Sequence, residues 1–223
     1  MIEKALKALK NGEPVLLFDA EGREEETDIV FASQHINSEK IRFMRKEGGG
    51  LICTTLPSEI ANKIKLPFLH EVFRESNFEI FRYITERVRY DALPAFSITI
   101  NHIDNYTGIS DIERARTITE FADFLSKVNN YKNPMIEFGN RFISPGHVHL
   151  LISSGLSRRK GHTELSTALV MMANLIPSAT IVEMLGDDGR SLSKSEAKKY
   201  AERHGYVFIE GSEVMEAWRR WSE

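Results

Sequence analysis

Residues 19–28, Asp-Ala-Glu-Gly-Arg-Glu-Glu-Glu-Thr-Asp, set six carboxylates and one arginine directly after an apolar run. Carboxylates this close repel one another and resist burial unless a cation or a proton offsets them, which makes a hard divalent metal ion their natural partner. The alternative is a solvated acidic loop, the commoner state of a charge run. Pro14-Val15-Leu16-Leu17-Phe18 reads as a buried strand and Ile29-Val30-Phe31-Ala32 resumes apolar character. The charges are therefore expected on a loop tied to the core at both ends.

A second concentration of chemistry is Arg158-Arg159-Lys160-Gly161-His162-Thr163-Glu164, placed just before a predicted helix. Free N–H groups and the positive end of the helix dipole attract anions there. Arg159 supplies charge, Gly161 a close backbone approach and Thr163 a hydroxyl, the donors a phosphoryl group requires; the same run also reads as a solubilising loop. His162 is open to metal ligation, to a polar cap or to a surface position. His162-Thr163-Glu164 matches half of the zinc deaminase signature, but Cys53 is the one cysteine in the chain, so the thiolate half is missing. There is no H-E-x-x-H, no P-loop and no dinucleotide fingerprint either. What remains is an ion held by carboxylates.

Three further residues stand on predicted strands. His147, at a strand mouth, is placed for acid/base work near neutral pH or for a structural role. Glu183 interrupts an apolar strand, where a carboxylate must be paired, hydrogen-bonded or protonated; it is a salt-bridge partner or a tuned acid/base. Cys53 reads more as a small buried hydrophobe than as a nucleophile.

These side chains need an alternating helix and strand framework. Ile2, Ala5, Leu6 and Leu9 form a helical stripe stopped at Asn11-Gly12, and Asn37-Ser38 caps a helix that Gly48-Gly49-Gly50 ends. Strands are predicted at 51–55, 96–100, 147–152, 180–185 and 206–209, with Pro57 in the first turn of a short helix. From about Lys65 to Pro94 no period is clear. Ser110 with Glu113 makes a capping box ahead of a stripe through Ile112, Ala115, Ile118, Ala122 and Leu125, and a polar, Asn-rich connection follows at 129–134. A buried helix is predicted from Leu165 to Ile176, a turn at Asp187-Asp188-Gly189, a helix capped by Ser193 and ended by Gly205, and a last helix from Val214 to Trp221. With no repeat or interdomain linker, residues 1–223 read as one α/β (α+β) domain, a mixed sheet flanked by helices.

Composition bounds the partners. With 42% hydrophobic and 27% charged residues the chain can build a sizeable core, and its net charge of -3 gives no basic field, so a small molecule is favoured over nucleic acid. No N-terminal apolar segment and no run of about 18 apolar residues occurs, so neither secretion nor a membrane partner is expected and the location is read as cytoplasmic.

In sequence order, Asp19-x-Glu21-x-Arg23-Glu24-x-Glu26-x-Asp28, Gly48-Gly49-Gly50-Leu51-Ile52-Cys53, Thr107-Gly108-Ile109-Ser110, the Ser144-Pro145-Gly146-His147 stretch, Arg159-Lys160-Gly161-His162-Thr163-Glu164 and the stretch from Glu183 to Gly189 together resemble the 3,4-dihydroxy-2-butanone-4-phosphate synthases. Each motif is weak alone, and six in register are specific. The resemblance implies a riboflavin-pathway lyase that converts D-ribulose 5-phosphate into L-3,4-dihydroxybutan-2-one 4-phosphate and formate. It further implies two magnesium ions per site, with manganese able to substitute, and a homodimer with shared active sites. Glu24 and His162 match metal ligands, and Arg23, Asp28, Arg159 and Thr163 match substrate contacts, a set expected to include Thr107, Lys160, Gly161 and Glu183. His147 and Glu183 match acid/base positions, Asp19 and Glu26 are further proton carriers, and Cys53 matches a pocket-lining cysteine counted with the catalytic set. The same loops would also suit a metal-dependent isomerase or aldolase of a sugar phosphate, which releases no formate, or a sugar-phosphate sensor without turnover.

Overall fold

A computed structural model describes residues 1–85 and 93–222. Helix α1 (Ile2–Lys10) buries Ala5, Ala8 and Leu9 and stops before Gly12, whose φ of +72° disfavours any side chain. It leads into β1 (Val15–Phe18), the acidic loop, and β2 (Thr27–Ala32). The loop is shorter than its charges imply. Because β2 begins at Thr27, Asp28 is a strand residue, 1% exposed, and not a loop residue.

Asn37 caps α2 (Ser38–Glu47) by accepting the Lys40 N–H at 2.9 Å. β3 (Cys53–Pro57) starts two residues later than predicted, and Pro57 closes this strand rather than sitting inside α3 (Ser58–Lys63). The stretch without periodic signal holds α4 (Leu69–Glu75) and α5 (Phe81–Ile84); its residues 86–92 lie outside the described residues. β4 (Phe96–His102) precedes α6 (Asp111–Lys127), where Ser110 accepts the Glu113 N–H. The Glu113 carboxylate bypasses the Ser110 backbone and accepts the N–H groups of Tyr106, Thr107 and Gly108, so the predicted box is half made. Ile112 points to solvent, and the buried stripe runs through Ala115, Ile118, Phe121 and Leu125.

The Asn-rich connection ends in the start of α7 (Pro134–Arg141), a helix not predicted, with Asn133 as cap and Pro134 in its first turn. β5 (Phe142–Ser153) starts five residues ahead of the prediction. Its register on β4 jumps from Ile100↔Val148 to Asn101↔Ile143, which pushes residues 144–147 out of the ladder as a wide bulge containing the cis Ser144-Pro145 bond. α8 (His162–Met172) begins at His162 rather than Leu165 and ends short of Ile176, because Asn174 turns left-handed at φ 54° and the Leu175 N–H returns to the Val170 carbonyl. β6 (Ala179–Glu183), α9 (Lys194–His204, ended by Gly205 at φ 69°), β7 (Val207–Glu210) and α10 (Gly211–Trp221) complete the chain.

The seven strands form one mixed sheet in the order β4-β5-β3-β6-β2-β1-β7, with β3–β5 and β1–β7 parallel and the other pairs antiparallel. Alternation along the strands separates two cores. Leu16, Ile29 and Phe31 face Ile41 of α2 and Ile118 and Phe121 of α6, whereas Val15, Leu17 and Val30 face Leu9 of α1, Leu165 and Leu169 of α8 and Val214 of α10. Both faces of the sheet are therefore covered, which explains why its central strands read as unbroken apolar runs. No helix of the described residues is long and apolar enough to cross a membrane.

Candidate active site

The acidic loop leaves β1 and returns as β2, and Asp19 fixes its shape. Its Oδ2 accepts Arg23 Nη1 at 3.0 Å and the Glu24 N–H at 3.1 Å, and its Oδ1 accepts the Glu26 N–H at 3.1 Å. With its side chain sealed from solvent and both oxygens engaged, Asp19 organises the loop that carries the other acids.

That loop closes onto the start of α8. His162, the first residue of that helix, is buried with Nδ1 3.2 Å from Glu24 Oε2 and Nε2 3.2 Å from the Glu26 carbonyl and 3.7 Å from Asp28 Oδ1. Burial works against its charge, but Asp28, Glu24 and Asp19 outweigh it and raise the imidazole to about 9. Burial also works against ionised Glu24, yet the His162 hydrogen bond and Arg23, 2.9 Å away, hold that carboxyl down at about 2. Gly161 makes the closure possible. A Cβ there would lie 2.1 Å from Arg159 Nη1 and 2.7 Å from Arg23 Nη2, so any side chain would displace both guanidinium groups.

The side chains of Arg23, Glu24, Asp28, Arg159 and His162 line a cleft of about 420 Å³. Its polar side carries Glu24, Glu26, Asp28, Glu183 and His162 with Arg23, Arg159 and Thr163; Phe96, Leu151 and Ile181 form much of the apolar wall. Cys53 also lines it, and burial, reinforced by Glu183 and Asp28, pushes its thiol well up, so it presents a neutral S–H. Arg159 is 9% exposed, its Nη1 2.7 Å from Glu164 Oε2, and the second Glu164 oxygen accepts the Ser154 N–H at 3.0 Å.

Five sequence-derived site residues do not line this cleft: Asp19 lies sealed beneath the loop with both oxygens engaged, so it shapes the site rather than carrying protons in it, and Gly161 lies behind the two guanidinium groups. Lys160 is exposed beside it. His147 and Thr107 are exposed near edge strand β4, where Asn101 joins them: its Oδ1 accepts the His147 N–H at 2.9 Å, its Nδ2 donates to the Thr107 carbonyl at 3.3 Å, and His147 Nδ1 lies 3.2 Å from Nδ2. Sequence reasoning missed Asn101, the buried Glu164 and Ser191, whose hydroxyl donates to Glu26 Oε1 at 2.6 Å. Glu164 sat in a recognised motif. Asn101 and Ser191 gave no signal, because their contacts exist only once distant strands and loops are brought together.

A family model described as 3,4-dihydroxy-2-butanone 4-phosphate synthase matches residues 3–217. The chain belongs to the 3,4-dihydroxy-2-butanone 4-phosphate synthase family. It is 42% identical to the 3,4-dihydroxy-2-butanone 4-phosphate synthase of Methanothermobacter thermautotrophicus, over 98% of this chain and 96% of that one. The crystal structure of the Candida albicans synthase is similar at a TM-score of 0.75 and 30% identity, covering 97% of this chain and 96% of that chain. A synthase crystallised in complex with two magnesium ions is similar at a TM-score of 0.70 and 26% identity, covering 96% and 94% of the two chains.

The donor set of this synthase-family cleft fits a hard cation. Carboxylate oxygens and one imidazole converge, and Asp28 Oδ1 is buried with no hydrogen-bond partner among the described residues. Asp19, Glu24 and His162 each offer an atom within 4.8 Å of the others. Since the Asp19 oxygens are already engaged, Glu24 and His162 are the members of that group left to face the cleft.

Proposed function

We propose that this chain converts D-ribulose 5-phosphate into L-3,4-dihydroxybutan-2-one 4-phosphate and formate, a lyase step of riboflavin biosynthesis, with residues 1–223 acting as one domain in the cytoplasm. The observation that carries the reading is the convergence of Glu24, Glu26, Asp28, Glu183 and His162 on one cleft that also presents Arg159 and Thr163.

Arg159, Thr163 and the first N–H groups of α8 supply the donors for the substrate phosphate, with Arg23 on the same side. The phosphate is thus anchored away from the reacting carbons, and Phe96, Leu151 and Ile181 exclude water from one wall. Glu24 and His162 would hold Mg2+, two ions per site and replaceable by Mn2+, with Asp28 nearby. When bound, the metal supplies Lewis acidity that lowers the cost of negative charge on the substrate oxygens. Asp28, Glu26 and Glu183, which all line the cleft, would take and return protons as the ketose enolises, loses its C1 hydroxyl as water, rearranges its skeleton and releases C4 as formate. The water lost is the water regained on release, so substrate equals product plus formate in atoms.

His147 and Thr107 reach substrate in this reading from the other subunit of a homodimer. Ile103, Tyr106, Ile109, Ile112 and Ile143 are all exposed around them, Tyr106 at 98%, an apolar surface of the kind that a second subunit covers.

Purified protein incubated with ribulose 5-phosphate and magnesium should release one formate per sugar phosphate consumed and stop on addition of EDTA. Consumption without formate would replace this reading with an isomerase or aldolase, and binding without consumption would replace it with a sensor.

A further inference from the structure

Glu26 is held firmly through its main chain and lightly through its side chain. Its N–H donates to Asp19 Oδ1 at 3.1 Å, and its carbonyl accepts the Asp19 N–H at 3.2 Å and lies 3.2 Å from His162 Nε2. The carboxylate itself has one hydrogen-bond partner among the described residues, the Ser191 hydroxyl at 2.6 Å on Oε1. A half-buried acid on a fixed backbone can still rotate about its side-chain bonds, so this contact selects which way the second oxygen points.

Ser191 comes from a part of the chain that the chemistry above does not use. After β6 the chain turns at residues 187–189, with Gly189 at φ +79°, and comes back on itself. The return is tied by Gly186 N–H to the Arg190 carbonyl at 2.7 Å, by Leu192 N–H to the Met184 carbonyl at 2.9 Å and by a Leu185↔Ser191 bridge. The same hairpin grows directly from Glu183. One rigid return therefore places Glu183 in the cleft and Ser191 on Glu26.

We infer that Ser191 is a positioning residue, whose hydroxyl fixes the Glu26 carboxylate so that Oε2 stays aimed into the cleft. The inference rests on the proposed function for its kinetic consequence and on the structure alone for its geometric one. Ser191 itself does not line the cleft and touches no reacting atom. Its removal must then act through the orientation of Glu26, slowing turnover and leaving substrate affinity as it was.

The test compares wild type, S191A and S191T in steady-state kinetics, thermal melting and crystal structures. S191A should lose about tenfold or more in kcat, in line with the loss of a group that orients a site carboxylate, with KM changed less than twofold and the melting temperature unchanged. S191T keeps the hydroxyl and should recover most of the rate. In the crystal, Glu26 should keep one orientation in wild type and S191T and turn or split in S191A. Wild-type kcat in S191A, equal losses in S191A and S191T, or a change confined to KM would each overturn the inference. If the wild type releases no formate, the proposed function fails and the crystal comparison decides alone: an unmoved Glu26 in S191A overturns the positioning role, and a turned one upholds it.

Discussion

Asp28 on β2 and Glu183 on β6 are direct cross-strand partners, so two carboxylates oppose each other in the cleft. Burial pushes the Asp28 carboxyl up to about 7, with His162 opposing and Glu183 adding to the rise. Burial raises Glu183 as well, against its own backbone hydrogen bond, with Glu26 adding to the rise. Like charges opposed across a ladder destabilise it, by about 1 kcal/mol at most. D28N keeps the shape and removes a carboxylate whose burial and like-charged neighbours cost more than its attraction to His162 returns, so above pH 7 the metal-free variant should melt about 2–4 °C above wild type. It should also lose most of the magnesium-induced rise in melting temperature and about 10²-fold or more of its formate release. Differential scanning fluorimetry with and without magnesium reads the first two effects. A metal-free D28N that melts below wild type would refute the opposed-charge account.

Arg159 and Glu164 form a buried pair whose members fail differently. E164A leaves a buried guanidinium without its carboxylate, a change that typically costs about 3–5 kcal/mol, visible as a lower urea midpoint. R159A leaves buried Glu164 with the Ser154 N–H and so costs stability as well, but it also removes the proposed phosphate contact, which would act in ground and transition states alike, so KM should rise more than kcat falls. A collapsed kcat at unchanged KM would move Arg159 from anchoring the phosphate to the chemical step.

The general architecture was legible because local signals agreed. Asn37, Ser110 and Ser193 cap the helices they were predicted to cap, Gly205 ends α9, and the apolar runs are strands covered on both faces. Where prediction failed, a local signal had a second meaning. Asn133-Pro134 is a helix start as well as a turn signal, and the polar residues around it favoured the turn reading. His162 belongs to α8 although its neighbours look like a loop, because its imidazole is satisfied by Glu24 and Glu26 rather than by water. The acidic loop was legible as a chemical site but not as a geometry. That Asp28 would face Glu183, or Ser191 reach Glu26, depends on a pairing across some 155 and 165 residues of chain that no local pattern encodes.

Glu113, which does not line the cleft, provides a pH-dependent contribution to stability. Its carboxyl is lowered from 4.5 to about 2, chiefly by the Thr107 backbone N–H, with the Ser110 hydroxyl and the Gly108 and Tyr106 N–H groups adding to it against slight burial. A folded-state pKa below the unfolded one gives stability that is fully present above about pH 4.5 and is lost as the pH falls through about 2. Urea midpoints of wild type and E113Q should differ above pH 4.5 and converge towards pH 2. A gap that stays constant across that window would show that the carboxylate charge is irrelevant to the turn.

The proposed homodimer with a shared site is tested by mixing. H147S and E24Q homodimers should each be inactive, but subunit exchange puts about half the dimers in the mixed state with one intact site of two, so about a quarter of the wild-type rate should return. No recovery, with exchange confirmed by native mass spectrometry, would place His147 and Glu24 in the same chain's site.

The central claim is that this cleft excises one interior carbon of ribulose 5-phosphate. It is read most directly by 13C NMR of the reaction on substrate labelled at C4. The account predicts that, with magnesium, the label appears in formate and is absent from the four-carbon phosphate, and that EDTA abolishes both products. Label retained in a sugar phosphate, or formate that carries none of it, would contradict the account.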